Sequence, residues 1–336
     1  MRFRFAVATA LPLALLAGCS SSGGEVGAPG TETTAPAQGQ QHPGQTGGQN
    51  SDAALRAPKR DYLGIYVEGK YKNKPAQQAK VFKKSVGRTP NIAKYFQAWY
   101  TPFPTAWAKT ASQAGALPQL EIEPHGVGVL ENIAAGESDD YIREYAQAVK
   151  AAGVPVSISF AHEMNGYWYD WGTKNSKPAT FVRAWRHVHD IFKEEGATRV
   201  VWLWAPNVIY PMPKVKLKPY YPGDAYVDWV GVIGYYRNNQ KTSTFKWIFK
   251  PTIDQIKKFT KKPILLAETG VQTGPGRNAE ITDLVTTVAK RKDIIGLIWF
   301  NMDKRKAEKA DYRLEANKSS LKTFRSLVTK YSFGRP

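Results

Sequence analysis

The stretch SFAHEMNGYWYDWG, residues 159 to 172, sets polar side chains where an apolar run stops. The run VPVSISFA at 154–161 is followed at once by His162, Glu163 and Asn165, and four aromatic rings come next at 167–171. Continuous apolar runs rich in β-branched residues are typical of strands that are buried on both faces. A carboxyl group placed directly after such a strand, among aromatic rings, indicates a functional rim rather than packing alone.

Seven further runs of this kind alternate with amphipathic stretches from residue 61 onward. The eight predicted strands are Tyr62–Val67, Phe96–Tyr100, Leu117–Ile122, Val154–Phe160, Val200–Trp204, Trp229–Tyr235, Ile264–Ala267 and Ile294–Phe300. Between them, segments such as DDYIREYAQAVKAAG at 139–153 show helical spacing and end at a glycine. The alternation predicts an α/β fold with a parallel sheet. Because no complete GxGxxG loop follows the first strand, a closed (β/α)8 TIM barrel is favoured over a nucleotide-binding doubly wound sheet.

The ends of the predicted strands are rich in carboxyl, amide and aromatic groups. In a (β/α)8 barrel these carboxyl-terminal ends carry the reactive side chains. Here they are Trp99 and Tyr100; Glu121, Glu123 and His125; His162, Glu163 and Asn165; Trp204 and Asn207; Tyr235 and Tyr236; Glu268; Trp299 and Asn301. Aromatic faces stack on pyranose rings, while two carboxyls can act as acid and nucleophile. The pattern therefore predicts a sugar-cleaving site.

A metal centre is not expected. HEMNG lacks the second histidine of an HExxH motif, since Gly166 occupies that position. His187 and His189 are two residues apart on a predicted helix and would point to different faces. The single cysteine, Cys19, excludes internal disulfides and a thiolate site.

The motif around Glu163 resembles the signature of glycoside hydrolase family 26, whose best-known members are β-mannanases. Further segments are similar to the family in the same order: LGIYVEG (63–69), GALPQLEIEPHG (115–126), IAAGESDDYIREYAQAVKAAGVPV (133–156), VWLWAPN (201–207), YPGDAYVDWVGVIGYY (221–236), KPILLAETGV (262–271) and IIGLIWFN (294–301). The resemblance covers nearly all of residues 61 to 303.

The resemblance implies a hydrolase that cleaves a β-linked polysaccharide with retention of configuration. Glu163 would be the general acid/base and Glu268 the nucleophile. Such a pair must lie roughly 5 to 5.5 Å apart, and each charge raises the pKa of the other carboxyl. Only closure of the barrel would bring together two residues so distant in sequence. Two carboxyls and water suffice for the reaction, so no cofactor is expected.

Six further side chains are expected to bind substrate or order the carboxyls: His162, Trp168, Tyr235, Trp299, His125 and Trp99. By resemblance, His162 would lie beside the pair, Tyr235 would hold the Glu268 carboxylate, and the tryptophans at 168 and 299 would be sugar platforms. His125 is compatible with a sugar-binding donor and with a buried imidazole.

Two positions depart from the family pattern. Family members often carry Arg where Ser159 stands and Asp where Ile233 stands. Losing the arginine charge should raise the pKa of the catalytic carboxyls or demand a substitute cation. Both departures also point to a different glycan or a narrower cleft.

Several functions are compatible with these residues. An endo-acting β-1,4-mannanase is the first expectation, with β-1,3-1,4-glucanase and β-1,3-xylanase as alternatives on the same fold. A non-catalytic surface glycan-binding protein is the alternative from another class. The net charge of +19 is compatible with an acidic polymer as partner, but a solvated basic surface explains it as well. No nucleic-acid-binding motif accompanies the charge, and we expect a monomer.

The N-terminus predicts export. Arg2 and Arg4 precede a short apolar stretch ending in LAGC, which resembles a bacterial lipobox, so residues 1–18 would be a signal peptide and Cys19 the lipidated residue. Residues 19–57 are rich in Gly, Gln, Pro, Ser and Thr and read as a flexible tether. Residues 58–336 would form the catalytic domain, facing outward and held at the cell membrane by the lipid.

Overall fold

The computed structural model describes residue 58 and residues 61–209, 214–238 and 243–336. All of them belong to the unit Gly47–Pro336. The predicted signal peptide, the lipidated Cys19 and the tether lie outside the described residues. Within the described ranges, no helix has the length and apolar character needed to cross a membrane.

Eight parallel strands close into a barrel in chain order, which confirms the predicted (β/α)8 architecture. The strands are β1 (Tyr62–Val67), β2 (Ile92–Ala98), β3 (Leu117–Glu123), β4 (Val156–Phe160), β5 (Val200–Trp204), β6 (Trp229–Tyr236), β7 (Ile264–Val271) and β8 (Ile294–Asn301). The barrel closes through pairing of β1 with β8, from Tyr62 opposite Gly296 to Val67 opposite Asn301. A short hairpin, β9 (Asp303–Lys304) and β10 (Ala310–Asp311), follows the last barrel strand.

Helices surround the barrel. They are α1 (Pro75–Val86), α2 (Thr105–Gln113), α3 (Val129–Ala134), α4 (Asp139–Ala152), α5 (Pro178–Glu194), α6 (Phe245–Ile248), α7 (Lys250–Ile256), α8 (Arg277–Lys290), α9 (Arg305–Glu308) and α10 (Lys318–Lys330). As predicted, α4 buries Ile142, Tyr145 and Val149 and ends at Gly153, whose φ of 68° lies in the left-handed region that glycine tolerates. In the described part of the β5–β6 connection, a single 3₁₀ turn at Lys218–Tyr220 takes the place of a full helix.

The interior of the barrel changes character along its axis. Its lower layers are apolar, with Tyr62, Ile92, Leu117 and Trp229 packed together. Alternation along each strand then places Lys94 on β2, two residues after Ile92, on the same inner face. The inner side chains are therefore apolar and closely packed near the amino ends of the strands, and polar near the carboxyl ends.

Candidate active site

The backbone after β4 turns sharply to present Glu163. Its φ of 53° lies in the left-handed region, where a residue other than glycine is strained. The surroundings hold this conformation: the Glu163 N–H donates to the carbonyl of Ala205 at 2.7 Å, and the Gly166 N–H donates to the Glu163 carbonyl at 2.8 Å. Strain that neighbouring elements hold in place is common at functional sites.

Two donors reach the Glu163 carboxyl. Trp168 Nε1 donates to Oε2 at 2.7 Å, and Asn207 Nδ2 donates to Oε1. Asn165 holds the backbone of residue 207 from both sides, since its Oδ1 accepts from the Asn207 N–H at 2.8 Å and its Nδ2 donates to the Asn207 carbonyl at 2.9 Å. Burial, together with the charge of Glu268, raises the pKa of Glu163 to about 7, although both donors oppose the rise. A carboxyl with that pKa is suited to donate a proton near neutral pH.

The loop after Glu163 is built around its aromatic rings. A Cβ at position 166 would lie 2.5 Å from Cζ2 of Trp168, so only glycine lets this indole take its place beside Glu163. Tyr169 and Trp171 stack with ring centroids 4.3 Å apart. Trp171 Nε1 donates to the His162 carbonyl at 2.6 Å, which ties the far end of the loop to the end of β4.

Glu268 lies on β7 and is held from β6. The Tyr235 hydroxyl donates to Glu268 Oε1, which is the contact that the resemblance implied. A register irregularity between Gly231 and Ile233 sets Ile233 opposite Glu268 on the neighbouring strand. Glu268 Oε2 faces Lys94 Nζ at 3.5 Å, longer than a normal hydrogen bond, so an oxygen lone pair stays available for attack.

A buried ion cluster lies under the two glutamates. Lys94 Nζ is 2.6 Å from Glu121 Oε2, and both side chains are 0% exposed. His162 Nδ1 is 3.5 Å from Glu121 Oε1, while its Nε2 is 3.1 Å from the Tyr169 hydroxyl. Burial lowers the pKa of Lys94, but Glu121 and Glu268 outweigh it and the net pKa is raised. Burial raises the pKa of Glu121, but Lys94 and His162 outweigh it and the net pKa is lowered.

The imidazole of His162 differs from these ions in its charge state. Burial lowers its pKa below the usual range, despite the opposing charge of Glu121. The ring is therefore neutral at physiological pH, and it orders its neighbours as a hydrogen-bonding group.

Most of the predicted site residues lie together at the mouth. Glu163, Glu268, His162, Trp168 and Tyr235 are joined by the contacts above. Trp168 is 42% exposed, which leaves its ring face accessible to a ligand. His125 is on the rim beyond β3, with its side chain 53% exposed and its ring 5.2 Å from that of Trp171, so it is not a buried imidazole.

Two predicted substrate contacts are wrong in this structure. Trp299 is 0% exposed, donates to the Tyr312 carbonyl at 2.9 Å and packs on Phe324 of α10, outside the barrel. Because successive residues of a strand face opposite sides, Phe300 takes the inward position instead. For the same reason Trp99 lies in the outer layer, with its ring 5.4 Å from Phe160.

Sequence reasoning missed two polar contributors. Lys94 lies in the first half of β2, ahead of the predicted start of that strand at Phe96. The sequence does contain an indication of it, because Lys94 lies two residues after Ile92 and would therefore point to the same inner face of an otherwise apolar strand. Asn207 is predicted at the end of a strand, but its hydrogen bond to Glu163 is not predicted. That contact joins residues on different strands, which the spacing of residues in the sequence does not indicate.

The arrangement supports acid and nucleophile chemistry. One carboxyl is buried, and its raised pKa of about 7 leaves a substantial fraction of it protonated at neutral pH. The other is beside the buried ammonium of Lys94 and accepts a hydrogen bond from the Tyr235 hydroxyl. In the described part of the chain, no group of three or more His, Cys, Asp and Glu side chains is placed to hold a metal ion.

Several known proteins share sequence similarity with this chain. The chain is 27% identical over 281 residues to Endoglucanase H of Acetivibrio thermocellus, a match that covers 79% of this chain and 30% of that protein. It is 26% identical over 142 residues to a mannan endo-1,4-β-mannosidase of Bacillus subtilis, covering 40% of this chain and 36% of the relative. The chain thus spans about a third of the length of these relatives.

Solved structures agree on the fold. A family 26 β-mannanase from Bacteroides ovatus superposes with a TM-score of 0.61 at 17% identity, covering 84% of this chain and 92% of the other. The catalytic domain of an endo-β-1,4-mannanase from Bacillus sp. JAMB-750 gives 0.61 at 18% identity, covering 82% and 88%. The family model described as glycosyl hydrolase family 26 matches residues 121–271, which hold β3 to β7 and both glutamates. Residues 121–271 of this chain are therefore similar to glycosyl hydrolase family 26.

Proposed function

We propose that this chain is a retaining endo-glycosidase that hydrolyses a β-linked polysaccharide, with β-1,4-mannan as the first candidate. The observation that carries the proposal is the unequal environment of the two carboxyls. Glu163 is buried with a pKa of about 7, whereas Glu268 is beside Lys94 and accepts a hydrogen bond from Tyr235. A double displacement requires one carboxyl that donates a proton and a second that attacks, and these two environments suit those two roles.

In the first step, Glu268 Oε2 attacks the anomeric carbon and the bond from that carbon to the glycosidic oxygen breaks. Glu163 gives its proton to the departing oxygen. The ester at 268 removes one negative charge just as Glu163 acquires one. In the second step Glu163 takes a proton from water, whose oxygen attacks the same carbon and releases Glu268, so the configuration is retained.

β-Mannan is favoured because several relatives and structural neighbours are named as mannanases. β-Glucan is the second candidate, since the relative that aligns over 281 residues is an endoglucanase. β-1,3-Xylan is the third, because a β-1,3-xylanase of a Vibrio species is 28% identical over 106 residues. Trp168, exposed beside the acid, would be the sugar platform near the cleavage point for each of them.

The first experiment is hydrolysis of galactomannan, glucomannan, mixed-linkage β-glucan and β-1,3-xylan by the purified protein. Glu163→Ala and Glu268→Ala are measured beside it. Glu123→Gln is the matched control, because that carboxyl lies at the carboxyl end of a neighbouring strand, β3, but pairs with His125 at 3.5 Å. We expect one polymer to be cut, both alanine variants to lose the activity and the control to keep it. Binding of a glycan without any hydrolysis would favour a non-catalytic surface protein instead.

Azide separates the two roles. With an activated aryl glycoside, azide should restore turnover of Glu163→Ala and form the β-glycosyl azide, because the nucleophile is intact. With Glu268→Ala it should form the α-glycosyl azide, because azide then replaces the nucleophile. The same anomer from both variants would rule out the assignment.

We propose in addition that the protein is exported and lipid-anchored through Cys19. The support is LAGC at 16–19 after a short apolar stretch. Labelled palmitate should be incorporated into the wild type and not into Cys19→Ala, and the variant should leave the membrane fraction. Equal labelling of the two would refute the anchor.

A further inference from the structure

We propose that Lys94 is a positioning residue that holds the Glu268 carboxylate ionised through a buried ammonium shared with Glu121, an inference that rests on the proposed function. The ammonium lies between three strands. Its Nζ is 2.6 Å from Glu121 on β3, 3.5 Å from Glu268 and 3.3 Å from the Ala267 carbonyl on β7. The ammonium donates hydrogen bonds to Glu121 and to the Ala267 carbonyl, and the Glu268 carboxylate lies beside it as a second ion-pair partner.

Burial makes this charge matter. Lys94 and Glu121 are 0% exposed, so water does not screen the field that they create. An ammonium taken out of water without carboxylate partners would lose its proton. Glu121 and Glu268 both supply a carboxylate partner, so Lys94 stays charged and in turn acts on Glu268. The carboxylate at 121 contacts Lys94 and His162 and serves as the anchor of the cation.

The charge count supports a catalytic purpose. Before the reaction, the ammonium and two carboxylates carry one net negative charge, and Glu163 is protonated. After the ester has formed, the pair Lys94–Glu121 is neutral and the negative charge is on Glu163. The ammonium stays beside position 268 throughout, so it favours the ionised nucleophile before attack and its departure as a carboxylate in the second step.

The test compares Glu121→Gln with Lys94→Met/Glu121→Gln. Both variants carry glutamine at 121 and differ only at 94. Removing Lys94 therefore leaves no unpaired Glu121 charge, and a loss of activity or stability from such a charge does not enter the comparison. Neutral replacement of a buried ion pair is often tolerated. Lys94→Gln/Glu121→Gln, in which two amides can bond each other, is the second double variant should the first not fold.

Two readouts are used on the full chain. One is the pH dependence of kcat/KM; the other is the ¹³C titration of the Glu268 carboxyl carbon, assigned by its absence in Glu268→Gln. The titratable groups that interact with Glu268 are Lys94 on β2, Tyr235 on β6, Tyr66 on β1, and His162, Glu163 and Tyr169 after β4. Only the first of these changes between the two variants.

We expect the titration midpoint of Glu268 and the acid limb of the activity profile to be higher in the double variant by about one pH unit or more, with kcat/KM lower by about tenfold or more. Identical midpoints and profiles in the two variants would overturn the inference and leave Lys94 as the structural partner of Glu121. If the wild type hydrolyses no polysaccharide, the proposed function fails, while the carbon titration still decides whether Lys94 acts on Glu268.

Discussion

Removing the Asn207 side chain should shift the range of pH in which the enzyme works. Asn207 donates to Glu163 Oε1, and this hydrogen bond favours the ionised carboxyl. Asn207→Ala deletes the donor, while Asn165 still holds the backbone at 207 through main-chain groups. A buried hydrogen bond to a charged group contributes about 1.5–3 kcal/mol, and one pKa unit corresponds to about 1.4 kcal/mol. The pKa of Glu163, now about 7, should therefore rise by about one to two units.

The sign of the effect follows from the proposed role of Glu163 as proton donor. The acid must be protonated for the first step, so kcat/KM of the wild type should fall as the pH rises through about 7. In Asn207→Ala this basic limb should move to higher pH. The assay is kcat/KM against pH with a substrate whose leaving group needs protonation, with near-ultraviolet circular dichroism as the folding control. A basic limb that stays in place, or moves to lower pH, would refute the assignment of Glu163 as the acid.

Three further outcomes are expected. Tyr235→Phe removes the phenol that donates to Glu268 and should lower kcat/KM by about tenfold to a hundredfold at unchanged fold; a change under about twofold would contradict the contact's role. Glu163→Gln should abolish hydrolysis and raise the free energy of unfolding by up to about 3 kcal/mol above pH 7, and by less near pH 5. A carboxyl whose pKa is raised in the folded state makes the wild-type protein less stable as the pH rises, and glutamine removes that cost. Urea unfolding at both pH values checks this, and an equal gain at both would contradict it. Trp299→Ala should lower the free energy of unfolding by about 3–5 kcal/mol and leave KM unchanged. Trp168→Ala should instead raise KM with little effect on unfolding. The reverse pattern would mean that Trp299, not Trp168, is the platform for the sugar.

The strands of the barrel were predictable because burial on both faces leaves continuous apolar runs. Seven of the eight predicted strands begin within two residues of the observed start. The exception is β2, which starts at Ile92, four residues before the predicted Phe96. A lysine at 94 interrupts its apolar run, and a lysine is expected in solvent unless a partner is known. Its partner, Glu121, is 27 residues further along the chain.

Position 159, where Ser replaces the arginine common in the family, likewise shows that the sequence does not identify the partner of a buried charge. From the sequence, the absence of that charge called for a substitute cation without indicating which of the 47 basic residues supplies it. In the barrel, Glu121 pairs in register with Ser159 on one side and with Phe96 on the other, and Lys94 reaches the same carboxylate from β2. The cation comes from the opposite neighbour of β3, which follows from the register of the strands.

For the aromatic residues, a position at a strand end did not predict whether the side chain contacts substrate. Trp168 and Trp299 both stand at predicted strand ends, yet one lies at the mouth and the other packs under α10. Local spacing does not say which parity of a strand faces inward, and a shift of one residue exchanges the two faces.

The sequence by itself determined the alternation of strands and helices, the strand ends and the pair of glutamates, because burial, periodicity and motif are properties of neighbouring residues. Only the tertiary structure decided which groups surround each carboxyl, which tryptophan meets solvent at the mouth, and that Lys94 lies beside both Glu121 and Glu268. Those outcomes depend on distances of a few ångströms between groups far apart in the chain, and electrostatic interactions in a buried site are set by such distances.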